Sequence, residues 1–479
     1  MRRLSPWLVV VLIGAVVGAV FAAVSTYDFV QHLDRQVHDL HCSFIPGRSH
    51  GAGESGCQVA MMSPYSSVFR SHIWGGIPIA LAALAVFAFL VFYAVDLAVT
   101  RRRDDPRATG FLALATLLPA LTSLVMLVIS IAKLGTTCKL CVGIYVASAA
   151  CLTGGIALWR RAARGHGGGN VVARPPRRGH GDEPAFVGSS RSAPAAPAEP
   201  QGARAGLVAA SVATRAATPR FLAGMFGIGI AFVAVPVVLY LTLAPDHARF
   251  IGTCEGLAHP ADGYGVMVRI EHGVQAGVPA IEVLDPLCPA CRAFEQRLAT
   301  SGLADRLDRK AVLFPLDNTC NWMVTEATHP GACTVSEAVL CAGDRAPDVI
   351  AWAFEEQDRI RSEAKTDPTA AARIVKQRFP ELASCVGSAD ARARLNKSMR
   401  WIVANNLRVL TPQVFIDNVK LCDEDVDLGL EYTLSNMLAR HARHALTLAP
   451  PGRPLAPASR APAAPAGSAW ATKPQGGGL

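Results

Sequence analysis

Five stretches of this 479-residue chain contain no charged side chain and are long enough to cross a lipid bilayer, which requires about 20 apolar residues. They cover residues 7–24, 73–95, 108–132, 140–159 and 221–245. Charged residues make up only 17% of the chain, against roughly 25% in soluble domains. The chain is therefore predicted to be a membrane protein with a soluble part. A wholly cytosolic enzyme, a fibrous repeat and a fully disordered chain are excluded.

The basic residues predict how the chain is oriented in the membrane. Arginine clusters at 2–3, 101–107, 160–164 and 215–220 all fall on one side if every stretch spans the bilayer. By the positive-inside rule this side is cytoplasmic. The loops between the spans that carry cysteines, and everything after the fifth stretch, then lie outside. Because these clusters account for the basic balance of the chain, its net charge of +9 does not indicate nucleic-acid binding.

The first stretch has a second interpretation. Arg2 and Arg3 precede it and the small residues Ala22 and Ala23 follow, which is also the pattern of a cleaved signal peptide. Removal of this stretch would leave the next loop without its N-terminal membrane anchor. A retained helix is therefore the preferred interpretation.

Composition and spans together divide the chain into five parts. Residues 1–160 are predicted to form a four-helix membrane domain, and residues 221–245 a fifth transmembrane helix. Between them, residues 161–220 are rich in Gly, Pro, Ala and Arg, which predicts a disordered cytoplasmic linker. Residues 246–448 are long enough for one extracytoplasmic domain. The Pro- and Ala-rich tail at 449–479 is predicted to be disordered.

The soluble part shows the element order of a thioredoxin-type α/β domain. In order, the elements are a buried strand at 279–285, the motif Cys288-Pro-Ala-Cys291 before a helix, a helical insertion at roughly 335–397, and a second strand at 413–418 after Thr411-Pro412.

Cys288-Pro-Ala-Cys291 has the spacing of a redox-active dithiol. A cysteine at a helix N-terminus is stabilised as a thiolate by the free N–H groups and the helix dipole. The second thiol, three residues on, lies one turn away and can displace a mixed disulfide. The alternative is half of a zinc site, which needs a second close pair of ligands. No such pair stands out in the sequence.

Cys138-Lys-Leu-Cys141 is the second motif of this kind and lies where a short outer loop enters the fourth stretch. A dithiol at the membrane surface is placed to receive electrons from outside and pass them to an acceptor dissolved in lipid. A structural or metal-binding pair is the alternative.

Cys42 and Cys57 lie in the outer loop between the first and second stretches. Their separation suits a disulfide in a flexible loop and is poor for a zinc knuckle. His38 and His41 stand beside Cys42, so a metal site is the alternative, although solvated loop histidines are commoner.

Taken together, these motifs resemble the vitamin K epoxide reductase family. The resemblance is carried by Cys42, Cys57, Ser63, Gly75-Gly76-Ile-Pro78, Cys138-Lys-Leu-Cys141 and Tyr145. Bacterial members of the family are often fused, through an added transmembrane helix, to a DsbA-like thioredoxin domain. The match covers residues 1–160 and 221–448. The chain departs from the pattern in its longer gap between the loop cysteines, its arginine-rich linker and its extra cysteines.

The resemblance implies an order of electron transfer. Cys42 would receive electrons from the partner domain, and Cys57 would pass them to Cys138. Cys141 would face a membrane quinone, menaquinone or ubiquinone, and reduce it.

The resemblance also implies roles for three residues near these cysteines. Ser63 and Tyr145 would be polar contacts of the quinone, with a helix cap and an interfacial aromatic residue as their alternatives. Pro412 would be the cis-proline that faces Cys288 and Cys291. A cis X–Pro bond is a minority state, about 5–6% of such bonds, but the position before a strand favours it here.

Six further cysteines lie in the soluble part, and an even number in an oxidising compartment indicates up to three structural disulfides. They are Cys254, Cys320, Cys333, Cys341, Cys385 and Cys422. Cys320 and Cys333 bracket a turn that contains Pro330 and Gly331, which favours a bond between them.

The predicted fold is a membrane all-α four-helix bundle plus one linking transmembrane helix, followed by a C-terminal α/β thioredoxin-like domain with a helical insertion. The predicted function is a thiol oxidase of the bacterial inner membrane that forms disulfides in exported proteins and reduces a quinone. Its partners would be exported proteins with reduced cysteines, the quinone and the lipid bilayer. The alternatives are vitamin K epoxide reduction proper and a non-catalytic metal-binding membrane protein. Import of reducing power is disfavoured because no redox pair lies on the inner side.

The orientation is testable with reporter fusions, since all redox pairs must face one compartment to exchange directly. Alkaline phosphatase fused after Asp246 is expected to be active, and the same enzyme fused near Gly179 is expected to be inactive. The opposite pattern would place Cys288 in the cytoplasm and break the predicted electron route.

Overall fold

The computed structural model describes residues 5–36, 38, 40–42, 56–167, 217–272 and 277–448. Within these ranges, five helices are long and apolar enough to cross a membrane. They are α1 (Pro6–Gln31), α3 (Ile79–Val99), α4 (Pro106–Ile129), α5 (Lys139–Gly167) and α6 (Pro219–Leu243), and the short α2 (Gly56–Met62) precedes α3. Most of the predicted linker and the whole predicted tail, residues 168–216 and 449–479, lie outside the described residues.

The apolar helices pack on one another and expose apolar side chains outward. Helix α1 lies between α3 and α5, α4 packs on α5, and α6 packs on α3. Phe87 and Leu90 of α3 are fully buried in the shared core. The outer face of α4 carries Leu114, Leu118 and Val125, each more than half exposed. Exposed apolar faces on helices of this length are the pattern of a membrane protein.

Helix α3 begins six residues later than the predicted second stretch. Gly75 and Gly76 have φ angles of +70° and +74°, a left-handed conformation that only glycine adopts readily. The turn they make leads into strand β2 (Ile77–Pro78), which pairs with β1 (Ser67–Val68). The apolar run is thus divided between a hairpin and a helix.

Two helices extend past the limits predicted from hydropathy. Helix α1 continues beyond residue 24 to Gln31 and carries the buried Asp28 on its last turns. Helix α5 continues to Gly167, into residues that the composition assigns to the linker. In both cases the helix extends into polar sequence that a count of apolar residues does not include.

A five-stranded sheet organises the C-terminal part. Its strands are β3 (Val268–Arg269), β4 (Val278–Leu284), β5 (Leu307–Leu313), β6 (Gln413–Ile416) and β7 (Val419–Leu421). The spatial order is β3-β5-β4-β6-β7, with β4 parallel to β5 and antiparallel to β6. This is the strand order of a thioredoxin-like domain, with β3 added at one edge.

The helices of this part occupy the positions that the sequence order predicts. They are α7 (Pro289–Ser301) between β4 and β5, then α8 (Ala332–Ala342), α9 (Ala346–Thr366), α10 (Ala370–Arg378) and α11 (Ala389–Ala404) between β5 and β6, and α12 (Leu430–Leu448) at the end. The helical insertion is therefore confirmed. Strand β5 was not anticipated, because Asp308, Arg309 and Lys310 interrupt its apolar pattern.

Three disulfides hold the soluble part together. They join Cys254 to Cys422, Cys320 to Cys333 and Cys341 to Cys385. The pairing of Cys320 with Cys333 confirms the prediction from the intervening turn. Each closed loop stabilises the fold by about 2–4 kcal/mol, chiefly by restricting the unfolded chain.

Candidate functional site

The segment after α1 and the start of α2 are joined by a disulfide. Cys42 and Cys57 are bonded, and both are almost completely buried. The Sγ atom of Cys57 also lies 3.3 Å from the Sγ atom of Cys138, which is a free thiol. Disulfide exchange proceeds through attack of one sulfur on another. The three cysteines therefore lie in contact, as exchange requires.

Gly56 makes this contact possible. A Cβ atom at residue 56 would lie 2.5 Å from the carbonyl oxygen of Thr137 and 2.7 Å from the hydroxyl of Thr136. Since Cys57 follows Gly56 and Cys138 follows Thr137, the same close approach of the two backbones brings the two sulfur atoms together. A side chain at residue 56 would push them apart.

Cys138 and Cys141 lie at the N-terminus of α5. The backbone N–H of Cys141 points to the sulfur of Cys138 at 3.4 Å. A hydrogen bond from the Cys141 thiol lowers the pKa of Cys138, although its burial acts in the opposite direction. Cys138 is therefore the member of the pair that carries the thiolate more readily, and it is the one that contacts Cys57.

A largely apolar cavity of about 360 Å³ adjoins these cysteines. Its polar lining includes the predicted residues Ser63 and Tyr145, together with Cys138 and Cys141. Tyr145 and Cys141 lie about one turn apart on α5, and both line this cavity. The Ser63 hydroxyl donates to the carbonyl oxygen of Ala60 at 2.7 Å. Ser63 thus makes a local helix-end hydrogen bond and lines the cavity as well.

The cavity also contains polar groups that the sequence did not single out. Asp28 is 3% exposed and lines it, and its carboxylate is 2.5 Å from Nδ1 of His41. Ser123 and Ser148, on α4 and α5, are joined by a buried hydrogen bond of 2.9 Å. Only the packing of three helices brings these residues together, so no local motif marks them.

The second dithiol, Cys288 and Cys291, lies at the start of α7. Cys288 is the residue before the helix, and its sulfur lies 3.5 Å from the carbonyl oxygen of Thr411. The peptide bond between Thr411 and Pro412 is cis, which confirms the prediction for this pair. Both thiols are free and buried.

The environment makes the two thiols of this pair unlike each other. The hydrogen bond from Cys291 is the largest cause that lowers the pKa of Cys288, which falls to about 6 despite its burial. Burial and the neighbouring Cys288 raise the pKa of Cys291 well above its usual range. Cys288 is therefore a thiolate at neutral pH while Cys291 stays protonated. A nucleophile and a resolving thiol differ in this way.

Two buried polar groups behind this pair were missed by the sequence analysis. The carboxylate of Asp285 lies 2.6 Å from Nδ1 of His329, and both side chains are almost fully buried. Burial lowers the pKa of His329, but the hydrogen bond and charge of Asp285 outweigh it and raise the pKa above the ordinary value. Deeper in the domain, Arg309 pairs with Glu282 of β4 and Glu295 of α7.

The histidines beside Cys42 have carboxylate partners. His41 contacts Asp28, and His38 lies 2.7 Å from Asp34. Across the described residues, one group of side chains has the spacing of metal ligands, and it consists of Cys254, Cys422 and Glu424. Its two cysteines are joined as a disulfide, so their sulfur atoms are not thiolate ligands.

The helical part, which contains the Cys42–Cys57 and Cys138–Cys141 pairs, matches the model of a known protein family. Residues 9–154 match the model of the vitamin K epoxide reductase family. This part of the chain is therefore similar to that family. The family match and the cysteine pairs support a thiol–disulfide oxidoreductase.

Three solved structures are similar to parts of this chain. Reduced DsbA1 from Neisseria meningitidis shares 15% identity, with a TM-score of 0.26, and the match covers 40% of this chain and 100% of that one. Oxidoreductase DsbA from Xylella fastidiosa shares 14% identity, with a TM-score of 0.26, and covers 37% and 95%. A Proteus mirabilis ScsC linker-deletion mutant shares 14% identity, with a TM-score of 0.24, and covers 51% and 100%. The comparison with curated proteins finds no match.

The reactivity of Cys288 is expected to follow the titration of its thiol. Alkylation of the reduced protein by iodoacetamide, followed at the Cys288 peptide by mass spectrometry, should rise with a midpoint near pH 6. Because only the thiolate reacts, the rate should fall about tenfold from pH 7 to pH 5. The depressed pKa also stabilises the reduced fold at higher pH, and this stabilisation is lost as the pH falls through about 6.

Alkylation of Cys288 in protein unfolded by urea is the control for this measurement, since an unfolded cysteine titrates near its ordinary pKa of about 8.5. If the folded and unfolded proteins show the same midpoint, the contacts with Cys291 and Thr411 do not tune the Cys288 thiol.

Proposed function

We propose that this protein is a membrane thiol oxidase that generates disulfides in exported proteins. Electrons would pass from a substrate dithiol through three cysteine pairs to a membrane quinone, menaquinone or ubiquinone. The single observation that carries the proposal is the 3.3 Å contact between the sulfur of Cys138 and the sulfur of Cys57 in the Cys42–Cys57 disulfide. The contact supports direct exchange between the loop and the membrane motif.

The first step takes place at the soluble domain. A substrate thiolate attacks Cys288 in the Cys288–Cys291 disulfide and expels the thiolate of Cys291. The second substrate thiolate then attacks the substrate sulfur of the mixed disulfide. This attack closes the substrate disulfide and releases the thiolate of Cys288. Two electrons and two protons leave the substrate. The low pKa of Cys288 favours it as the leaving group.

The reduced pair is then reoxidised by the loop disulfide. The thiolate of Cys288 attacks Cys42 and expels Cys57, and Cys291 resolves the mixed disulfide and releases Cys42. The soluble pair is again a disulfide, and the two electrons reside on Cys42 and Cys57.

The loop pair reduces the membrane motif in the same manner. Cys57 attacks Cys138 in the Cys138–Cys141 disulfide and expels Cys141. Cys42 then attacks Cys57, which restores the loop disulfide and releases the thiolate of Cys138. The hydrogen bond from Cys141 that lowers the pKa of Cys138 makes Cys138 the better leaving group.

The cavity beside Cys141 fits a quinone ring. Its volume of about 360 Å³ and its apolar walls suit a flat hydrophobic ligand, and a few polar groups are available to orient it. A quinone bound there would supply a two-electron, two-proton acceptor. Cys141 would hold the reactive thiol at the cavity wall, Tyr145 would donate a hydrogen bond beside it, and Ser63 would be a further polar contact.

The domain organisation that this function needs is also part of the proposal. Residues 1–160 would form a four-helix redox domain in the bacterial inner membrane, and residues 221–245 would return the chain to the extracytoplasmic side. Residues 246–448 would then meet Cys42 in one compartment. The linker at 161–220 would act as a tether. The fusion of the membrane domain to a dithiol domain favours protein oxidation over vitamin K epoxide reduction proper.

Replacement of Cys141 tests the membrane end of this route. In purified protein given a reduced peptide and a quinone, Cys141→Ser should abolish quinone reduction, because Cys138 then has no partner thiol with which to form a disulfide. Oxidation of two equivalents of peptide should persist, one by the preformed Cys288–Cys291 disulfide and one by the Cys42–Cys57 disulfide that reoxidises it. Cys151→Ser is the matched control and should keep full activity. Cys151 lies on the same helix, and its thiol donates a hydrogen bond to the carbonyl oxygen of Val11. Quinone reduction by Cys141→Ser would remove this residue from the relay.

The contact at Gly56 gives a second test of the relay. Gly56→Ala should slow transfer from the loop pair to Cys138 by an order of magnitude or more, since small displacements of reacting atoms cost about 100-fold in rate. Gly165→Ala on α5 adds a methyl group that meets nothing within 4 Å and should have no effect. Rapid-mixing measurement of reduced Cys57 after a peptide pulse checks both. Equal rates in the two variants would contradict the role of this contact.

A further inference from the structure

Two segments of the C-terminal part close around two side chains of the helical part. The first of these side chains is Arg35, just after α1, which is largely buried. Its guanidinium lies 4.1 Å above the ring of Phe250 and donates two hydrogen bonds to the carboxylate of Asp425, at 3.1 and 3.2 Å. Bidentate pairs of this kind combine charge with a defined geometry.

The second enclosed side chain is Trp74, in the turn before α3. It is 3% exposed and stacks on the ring of His247 with centroids 4.5 Å apart. Its indole N–H donates to the carboxylate of Asp425 at 2.8 Å. His247 in turn contacts the carbonyl oxygen of Leu33 at 2.8 Å. Asp425 therefore holds Arg35 and Trp74 at once.

Gly429 completes the enclosure around Trp74. A Cβ atom at this residue would lie 2.2 Å from Nε1 of Trp74 and 3.1 Å from the carboxylate of Asp425. The neighbouring Leu428 is buried with Phe29 and Leu33 of the helical part. Only glycine allows the backbone to lie this close to the indole.

The two enclosing segments are tied to each other by a disulfide. Cys254 follows the segment of His247 and Phe250, and Cys422 precedes the segment of Asp425 and Gly429. The bond spans 168 residues of sequence. We call Arg35, Trp74, His247, Phe250, Asp425 and Gly429, with the Cys254–Cys422 bond, the docking lock.

A cavity of about 270 Å³ lies beside the docking lock, between the two parts of the chain. On the helical side it is lined by His32 and Gln36, in the segment that leads to Cys42. On the other side it is lined by Arg408 and Leu410, in the segment that leads to Thr411. Since Thr411 contacts Cys288, the cavity is lined by the segments of the two parts that lead to the two exchanging cysteines.

We propose that the docking lock is a positioning device that holds the thioredoxin-like domain against the vitamin K epoxide reductase-like domain so that Cys288 exchanges with Cys42. The inference rests on the proposed relay and adds to it the residues that set this step. In it, the Cys254–Cys422 disulfide carries no electrons and instead keeps the two enclosing segments together.

For two physical reasons, the docking lock is expected to have a large effect on the exchange between Cys288 and Cys42. Asp425 is 2% exposed in its side chain, and removal of one partner from a buried ion pair leaves the other charge unpaired and destabilises the contact. A tether alone gives a high effective concentration, but reacting groups that are also oriented gain far more. Transfer from substrate to Cys288 involves none of these residues.

The test measures how fast the two cysteines can be joined in the full-length protein. In the parent variant, serine replaces Cys57, Cys138, Cys141, Cys151 and Cys291. The diazene oxidant diamide then takes two electrons and two protons from the remaining thiols of Cys42 and Cys288 and leaves a disulfide between them. The Cys42–Cys288 bond is quantified by mass spectrometry of the linked peptides over time.

Two changes in the docking lock are compared with one matched control. Gly429→Ala places a methyl group against Trp74, and Asp425→Asn keeps the shape but removes the charge. Each should slow formation of the Cys42–Cys288 bond about tenfold or more, as misplacement of reacting groups does. Gly263→Ala, in the same part of the chain, meets nothing within 4 Å and should match the parent. Alkylation of Cys288 reports that the domain remains folded.

The outcomes separate the docking lock from the relay. If the parent forms the bond and both lock variants form it equally fast, the docking lock is refuted while the relay stands. If the parent forms no bond although both thiols are alkylated, exchange between Cys42 and Cys288 is refuted, and the positioning role with it. Should Gly429→Ala alter the alkylation of Cys288, the isosteric Asp425→Asn decides the matter alone.

Discussion

Sulfur atoms exchange electrons only when they touch, and the contact between Cys57 and Cys138 is the constraint on which the rest of the proposed relay depends. It requires that the N-terminus of α2 and the N-terminus of α5 approach within van der Waals distance. Gly56 permits this because its backbone lies against the carbonyl oxygen of Thr137. The surrounding apolar helices then bury the sulfur atoms, which keeps water and foreign thiols away from the mixed disulfides.

The two dithiol motifs stabilise the thiolate of their first cysteine in the same way, at two different places in the protein. Each has its first cysteine just before a helix, where free N–H groups and the neighbouring thiol stabilise negative charge. In the soluble pair the contrast between Cys288 and Cys291 comes from position, since the first cysteine borders the loop of Thr411 and the second lies inside the core. In the proposed function the soluble pair reacts with protein substrates, while the Cys138–Cys141 pair borders an apolar cavity, so similar chemistry would serve different reaction partners.

The attachment of the soluble domain is polar at its centre and apolar around it. Asp425 receives hydrogen bonds from Arg35 and Trp74, while Leu428, Phe29 and Leu33 exclude water around them. A buried charge pair contributes less net stability than its geometry suggests, because both ions lose hydration. The pair forms only in a defined orientation, however. A relay between two domains needs such a defined orientation more than it needs tight binding.

Sequence alone determined the membrane character, the three cysteine pairs, the thioredoxin-like order of elements and the pairing of Cys320 with Cys333, because each depends on local composition or on spacing along the chain. It misjudged where α3 begins and missed β5, whose Arg309 lies in a buried ion cluster rather than in solvent. Only the tertiary structure decided that Asp28 faces the cavity, that Gly56 meets Thr137 and that Asp425 meets Arg35, 390 residues away. Such partners are chosen by packing across the whole chain, and neither periodicity nor motif spacing records which distant residues will share one buried site.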